Sequence, residues 1–574
     1  MKLIIRQYLA SLKERNELDA LLPDLLSELG LNVYSRPGRG TRQDGVDVAA
    51  VGSLDGEEEK VYLFSIKAGD LSRNSWDGDA LQSLRPSLNE ILDSYILNRL
   101  PDEHRAKEIV ICLCFGGDIQ EQVRPQIEGY IKQNKKDGIS FEEWNGDKLA
   151  SLILSSFLRE DLLPENARSQ LRKALALLDE PDASYRHFAT LLEVLTGAVS
   201  DRDKDRLTLI RQITICLWIL FSWAREAGNI EAAYLASEIS LLYSWNISKL
   251  YRIKKTKMAR AVEMAFQSTL TVYLQISSNF VNSRILPFAS KRHALSTAVR
   301  PSCSLDVNLK LFDILGRLAM EGIWAYWLLS RLEEEDEPQV VESLQKSVAD
   351  ISVAIKQLIS NNPALLLPIK DDQVIDISIA LLLLMTDVKN YRDIETWLST
   401  IVERSTFAYQ IYGKYPCNLR AYSELLEHPQ EGDSEYLREV TGGSILFPII
   451  ALSAALLGKE DLYGAVQSLK LEYLSHCNFQ LWYPDDKSED HIYMNSDVHG
   501  ATLSHVCVDR PMNDFLKQVF DECEHSPHFH TLSTVEQDLW PVILIACRHY
   551  RLPIPLHLWK GFHRDAQAND QSEA

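Results

Sequence analysis

Three residues near the front of the chain have types and spacing that suit phosphodiester chemistry. Asp47 opens the segment VDVAAV, and Ser65 and Lys67 close KVYLFSIKA twenty residues further on. Hydrolysis assisted by Mg²⁺ needs carboxylate oxygens that converge on the ion and a cation beside the attacked phosphate. A tight hairpin can bring such groups together. One strand presents the acid where it leaves its loop. The other presents two side chains at i and i+2, which share a face because the strand period is two.

The elements that must position these residues can be read from the pattern around them. Residues 6–29 carry apolar positions at helical spacing, from Leu18 through Leu29, and stop at Gly30. LNVYS reads as a short strand, followed by the Gly/Arg-rich loop RPGRGTRQDG. VDVAAV and KVYLFSIKA read as strands joined by the turn residues Asp55-Gly56. Residues 79–98 return to helical period, and EIVICLCF is a continuous apolar run that suits a strand buried on both faces. A helix near 118–134, the strand ISFEEW and a helix over 146–158 follow. The expected order is α-β-β-β-α-β-α-β-α around one central mixed sheet flanked by helices. From about residue 162 the strands stop, and Pro164 and Pro181 flank a short helix at a boundary. The remainder reads as a large all-α region without a fixed repeat period, a bundle or an irregular solenoid. The expected domains are 1–160, an α-helical 161–430, and a His-rich helical 431–574.

The stretch ELDALLPDLLSELGLNVYSRPGRGTRQDGVDVAAV…EKVYLFSIKAGD resembles the core of the PD-(D/E)xK, or restriction-endonuclease-like, nuclease superfamily. The resemblance covers residues 10–158 and none of the helical remainder, and ISFEEWNGDKLASLI is similar to the closing strand and helix of such domains in bacterial defence proteins. It implies Asp47 as a metal ligand, Lys67 as the catalytic lysine and Glu17 as the acid carried on the first helix. Ser65 stands where the family usually has Glu, Asp or Gln. A serine hydroxyl is a weak Mg²⁺ ligand, so a second carboxylate is expected from elsewhere: Asp79 first, with Asp70 and Asp77 as alternatives. The function implied is a Mg²⁺-dependent endonuclease (Mn²⁺ serving as well), of DNA more than RNA, in a prokaryotic anti-phage system. The helical region would act as sensor or regulator, in a homo-oligomer or beside a partner subunit. The alternative is a non-catalytic nucleic-acid- or protein-binding scaffold with a degenerate nuclease domain.

Other features are less specific. Arg36, Arg39 and Arg42 would clamp phosphates beside the site or form an ordinary solvated loop. Lys254, Lys255 and Lys257, near Tyr251, would grip nucleic acid by charge and stacking, or contact an acidic partner. The chain carries a net charge of −21, yet residues 249–300 hold ten basic residues against the single acid Glu263, so contact with phosphates is confined to patches. The motif CEHSPHFH (Cys523, His525, His528, His530) has zinc-binding atoms at a spacing that fits no common zinc pattern. Nine scattered cysteines argue against a disulfide framework. The longest uncharged apolar stretch, Ser444 to Gly458, is short of the roughly 20 residues a bilayer requires. The opening residues mix charge into their apolar positions too early for a leader peptide. A cytoplasmic protein is expected.

Overall fold

The computed structural model describes residues 2–36, 44–54, 56–78, 83–156, 165–197, 202–299, 302–333, 338–429, 434–495, 500–503 and 506–560. The chain divides into two compact units, residues 1–273 and 274–574.

The first unit is built on a five-stranded sheet in the order β1-β2-β3-β4-β5: β1 (Asn32–Ser35), β2 (Val48–Gly52), β3 (Lys60–Lys67), β4 (Ile109–Phe115) and β5 (Ile139–Trp144). The first three strands run antiparallel, whereas β3, β4 and β5 are parallel, so the sheet is mixed as expected. The alternation of β2 and β3 puts Ala49, Val51, Val61 and Leu63 on one face with Ile109, Ile111 and Leu113. That face is closed by Trp76, Leu84, Leu88, Ile91, Val123, Ile127 and Tyr130. They come from α3 (Arg73–Asp77), α4 (Leu84–Glu90) with the π-turn Ile91–Tyr95 and α5 (Ile96–Asn98) that continue it, and α6 (Arg124–Asn134). The strand β4, flanked by β3 and β5, is buried at every position, which is why it reads as an unbroken apolar run.

The expected helix over 6–29 is two helices. α1 (Lys2–Ser11) and α2 (Asp19–Glu28) are separated by extended backbone at Lys13 and a π-helical turn, Glu14–Leu18. α2 ends as the sequence predicts: Gly30 takes φ +91°, and the Leu31 amide reaches back to the Leu26 carbonyl at 3.0 Å. α7 (Gly146–Ser156) packs on α1.

The helices that follow belong to the same unit: α8 (Glu165–Ala176), α9 (Pro181–Gly197), α10 (Asp203–Glu226), α11 (Glu231–Ser248) and the first part of α12 (Lys257–Phe280). The division at 273/274 thus differs from the boundary expected at 160. Carboxylates at 17, 24 and 28 are each held by the helical segment. Glu17 accepts from Arg225 at 2.8 Å, Asp24 from the Ser268 hydroxyl at 3.0 Å, and Glu28 from Arg211 at 2.7 Å and Thr208 at 2.8 Å. α10 is the one described helix long and apolar enough to cross a membrane, and it is buried within this unit.

The second unit is mainly helical, with the long helices Ser304–Ser330, Pro338–Asn361 and Tyr391–Gln410. It also holds two short ladders, Gly443–Ser444 with Asn478–Phe479 and Leu481–Tyr483 with Ala501–Leu503, which the apolar periodicity did not predict. Its interior holds an ion cluster in which Asp313 accepts from Arg317 and Arg548. The buried Asp371 receives the Ser444 hydroxyl and the Ile445 amide, ahead of the apolar helix Leu446–Leu456.

Candidate active site

The end of the β2–β3 ladder brings two of the sequence-predicted residues onto adjacent strands. The β2–β3 register ends with Val48 opposite Phe64, and Asp47 is the residue just before it. Its amide donates to the Phe64 carbonyl at 2.8 Å. Its carboxylate Oδ2 accepts the Ile66 amide at 2.7 Å, replacing a backbone acceptor where regular pairing ends. The aspartate is thereby fixed on the strand that carries Ser65 and Lys67.

Lys67, the last residue of β3, is buried, and its Nζ lies 3.1 Å from Glu14 Oε1. Glu14 is the first residue of the π-turn, and its charge also reaches Asp47. Burial pushes the Asp47 carboxyl up to about 6. The neighbouring Glu14 and Asp19 add to the shift, against the Ile66 amide and Lys67, which pull it down. A partly desolvated carboxyl among other acids and one lysine is the electrostatic setting in which a divalent cation would be welcome.

Glu17, the acid implied by the resemblance, is placed elsewhere. It is fully buried, accepts from Arg225 and takes the Lys13 amide at 2.8 Å, so its oxygens are committed to the turn itself. The acid of this turn that reaches Lys67 is Glu14. The only sequence signal for the difference is that acids stand at both 14 and 17; the π-turn, with its wider pitch, changes which one faces the sheet.

Ser65 is fully buried and its hydroxyl has no hydrogen-bond partner among the described residues. Asp70 is exposed, and its Oδ1 accepts the Asp118 amide at 2.9 Å, which ties together the loops after β3 and β4. Asp77 pairs with Arg85 at 2.6 Å. Asp79, Arg39 and Arg42 lie outside the described residues. Arg36 is exposed and lines a cavity of about 370 Å³ with Asp19, Asp24, Arg211, Trp218 and Gln267, so this cavity and the site share Asp19 as a neighbour.

The basic segment before α12 presents Lys254, Lys255 and Lys257 to solvent. Tyr251, expected to offer a stacking face, is buried. Its hydroxyl donates to Asp203 at 2.7 Å and Lys254 sits over its ring.

In the second unit, the histidines of CEHSPHFH do not converge. Cys523 is buried, His525 bonds its own helix carbonyl at Asp521, and His530 and Phe529 pack by His557.

Among the described residues no group of three or more His, Cys, Asp or Glu side chains is arranged to hold a metal ion. Mg²⁺ does not demand one: it keeps several waters and is commonly bound through one or two carboxylates plus substrate phosphates. Asp47 feels the charges of both Glu14 and Lys67, and Glu14 is itself held by Lys67.

The comparisons bring no relative. No family model, no curated protein and no solved structure matches the chain. What the site can do therefore rests on its own geometry.

Proposed function

We propose that this chain is a divalent-metal-dependent endonuclease acting on DNA, its site formed by Asp47, Glu14 and Lys67, with its helical parts as sensor or regulator in an anti-phage system. The observation that carries the reading is the meeting of a ladder-fixed aspartate, a second carboxylate and a buried lysine at one end of a mixed sheet. The defence setting rests on the sequence resemblance alone.

Asp47 and Glu14 would hold Mg²⁺ or Mn²⁺, which when bound supplies an activated water and charge neutralisation at the phosphate. The chain's own groups do the rest. The Ile66 amide orients Asp47. Lys67, which lies 3.1 Å from Glu14, would place its ammonium against the charge that grows on the attacked phosphate. Arg36 and the lysines 254, 255 and 257 supply positive charge for the nucleic-acid backbone.

A binding-only scaffold is the competing reading. It is favoured by the lack, among the described residues, of a three-ligand group and by the engagement of Lys67 with Glu14. Incubating the protein with supercoiled plasmid, single-stranded DNA and RNA, with Mg²⁺ or Mn²⁺, separates the two. The nuclease reading expects metal-dependent cutting that is lost in Asp47→Asn and Lys67→Met. Cutting that survives both substitutions removes the site assignment, and binding without cutting of any substrate favours the scaffold.

A further inference from the structure

Arg225 sits near the end of α10, more than 200 residues from the turn it touches, and makes the contacts that fix that turn. Its Nη1 is 2.8 Å from Glu17 Oε1 and its Nη2 3.1 Å from the Ser11 carbonyl. Glu17 Oε2 in turn takes the Lys13 amide, and the Leu18 amide closes the π-turn on the Lys13 carbonyl at 3.1 Å. Ser222, one turn earlier on α10, is hydrogen-bonded to the Ser11 side chain. The pair is largely buried: Glu17 is fully so and Arg225 mostly, and among the described residues the buried Tyr8 hydroxyl beside it has no partner. Glu14, which reaches Lys67, leaves from the start of this same turn.

We propose that Arg225 is a positioning residue: through Glu17 it holds the π-turn in the register that delivers Glu14 to Lys67 and Asp47. It thereby makes the docking of α10 a condition for an assembled site. The inference rests on the reading of Asp47, Glu14 and Lys67 as the metal site. It goes beyond that reading in naming the element through which the helical segment controls it. π-turns inserted into helices recur at functional sites because a slight change of winding redirects the side chains that follow. Glu28 with Arg211 gives an internal control. That pair is also buried and also joins α2 to α10, but at the far end of α2 from the turn.

The test compares Arg225→Gln and Arg225→Lys with Arg211→Gln in the full chain. Lys67 is probed by trace acetylation with acetic anhydride and mass spectrometry. The turn is probed by hydrogen exchange over residues 11–18, and the metal by Mn²⁺ titration. Loss of a buried charge-assisted bond opens the turn about tenfold more often. Arg225→Gln is therefore expected to raise Lys67 acetylation and the half-saturating Mn²⁺ concentration about tenfold. Arg225→Lys should fall between, and Arg211→Gln should leave both near the parent value even where it lowers the melting temperature as much. Equal Lys67 reactivity in the Arg225 and Arg211 variants overturns the proposal. Should Arg225→Gln not fold, the same comparison is made with Arg225→Lys, which keeps the charge and loses the fork. A parent protein that binds no Mn²⁺ counts against the nuclease reading, while the acetylation and exchange results still decide the role of Arg225.

Discussion

Lys67 and Glu14 meet at 3.1 Å, the last residue of a central strand with the first residue of a π-helical turn. This pair lies at the end of the sheet where Asp47 is anchored, and under the proposed function it would have to open for a cation and a phosphate to enter. Its two members therefore have separable roles.

Replacing Lys67 with Met keeps most of the aliphatic stem and removes the charge. Cutting should fall by about 10²–10³-fold, the usual cost of losing one preorganised electrostatic contact to the transition state. Mn²⁺ affinity should hold or improve, since Glu14 is freed. Glu14→Gln should do the reverse, raising the half-saturating metal concentration about tenfold. Steady-state cleavage against metal concentration measures both. Parallel loss of kcat with unchanged metal dependence in the two variants contradicts the division of roles.

The pH dependence follows from Asp47. Its carboxyl is pushed up to about 6 in the folded chain, chiefly by burial. The folded protein therefore holds a proton that the unfolded chain releases near pH 4, and stability falls as pH rises between those values. At pH 7 the charged Asp47 is a burden of at most about 3 kcal/mol, and nearer 1–2 given its partial contact with solvent. Asp47→Asn, whose side-chain carbonyl can still accept the Ile66 amide, should be more stable than the parent by that amount at pH 7 and equal to it below pH 4. Urea unfolding at the two pH values measures this. Because a metal must displace the proton, Mn²⁺ affinity should drop about tenfold for each pH unit below 6.

Ser65 separates a structural role from a ligand role. A buried hydroxyl without a partner costs stability, so Ser65→Ala should leave the protein as stable or raise its stability by about 1 kcal/mol. Metal affinity should stay near the parent value, because the carboxylates carry it. A drop of tenfold or more in Mn²⁺ affinity would instead make the hydroxyl a ligand.

Gly45 fixes the approach to Asp47. Its φ is +82°, and a Cβ there would stand 2.0 Å from the Ser87 carbonyl oxygen, a backbone atom that cannot yield. Gly45→Ala should cost at least about 2 kcal/mol and loosen the start of β2. Equilibrium unfolding with hydrogen exchange over residues 44–52 checks it, and an unchanged stability contradicts it.

The strands were legible because they are short apolar runs bounded by turn residues, as in β2, β3 and β4. The hairpin then put Asp47, just before β2, beside the strand that carries Ser65 and Lys67. Glu14 was not legible. Helical phase counted back from Leu29 runs straight through residues 13–18, and nothing local shows that Lys13 is extended or that the turn is wider. The partner that fixes Glu17 is Arg225, too distant in sequence for any periodicity to announce. The docking of α10 and α12 on the π-turn and α2 was hidden for the same reason: carboxylates at 17, 24 and 28 look like a solvated face until Arg225, Ser268 and Arg211 are seen against them.

Under the proposed function, Asp47 and Glu14 together hold a divalent cation beside Lys67. Crystals grown with Mn²⁺ and a short DNA duplex, with data collected at the manganese absorption edge, test it directly. An anomalous peak within about 2.0–2.6 Å of oxygens from both carboxylates, absent in Asp47→Asn, is the predicted result. An undisturbed Glu14–Lys67 pair with no peak at saturating Mn²⁺ contradicts it.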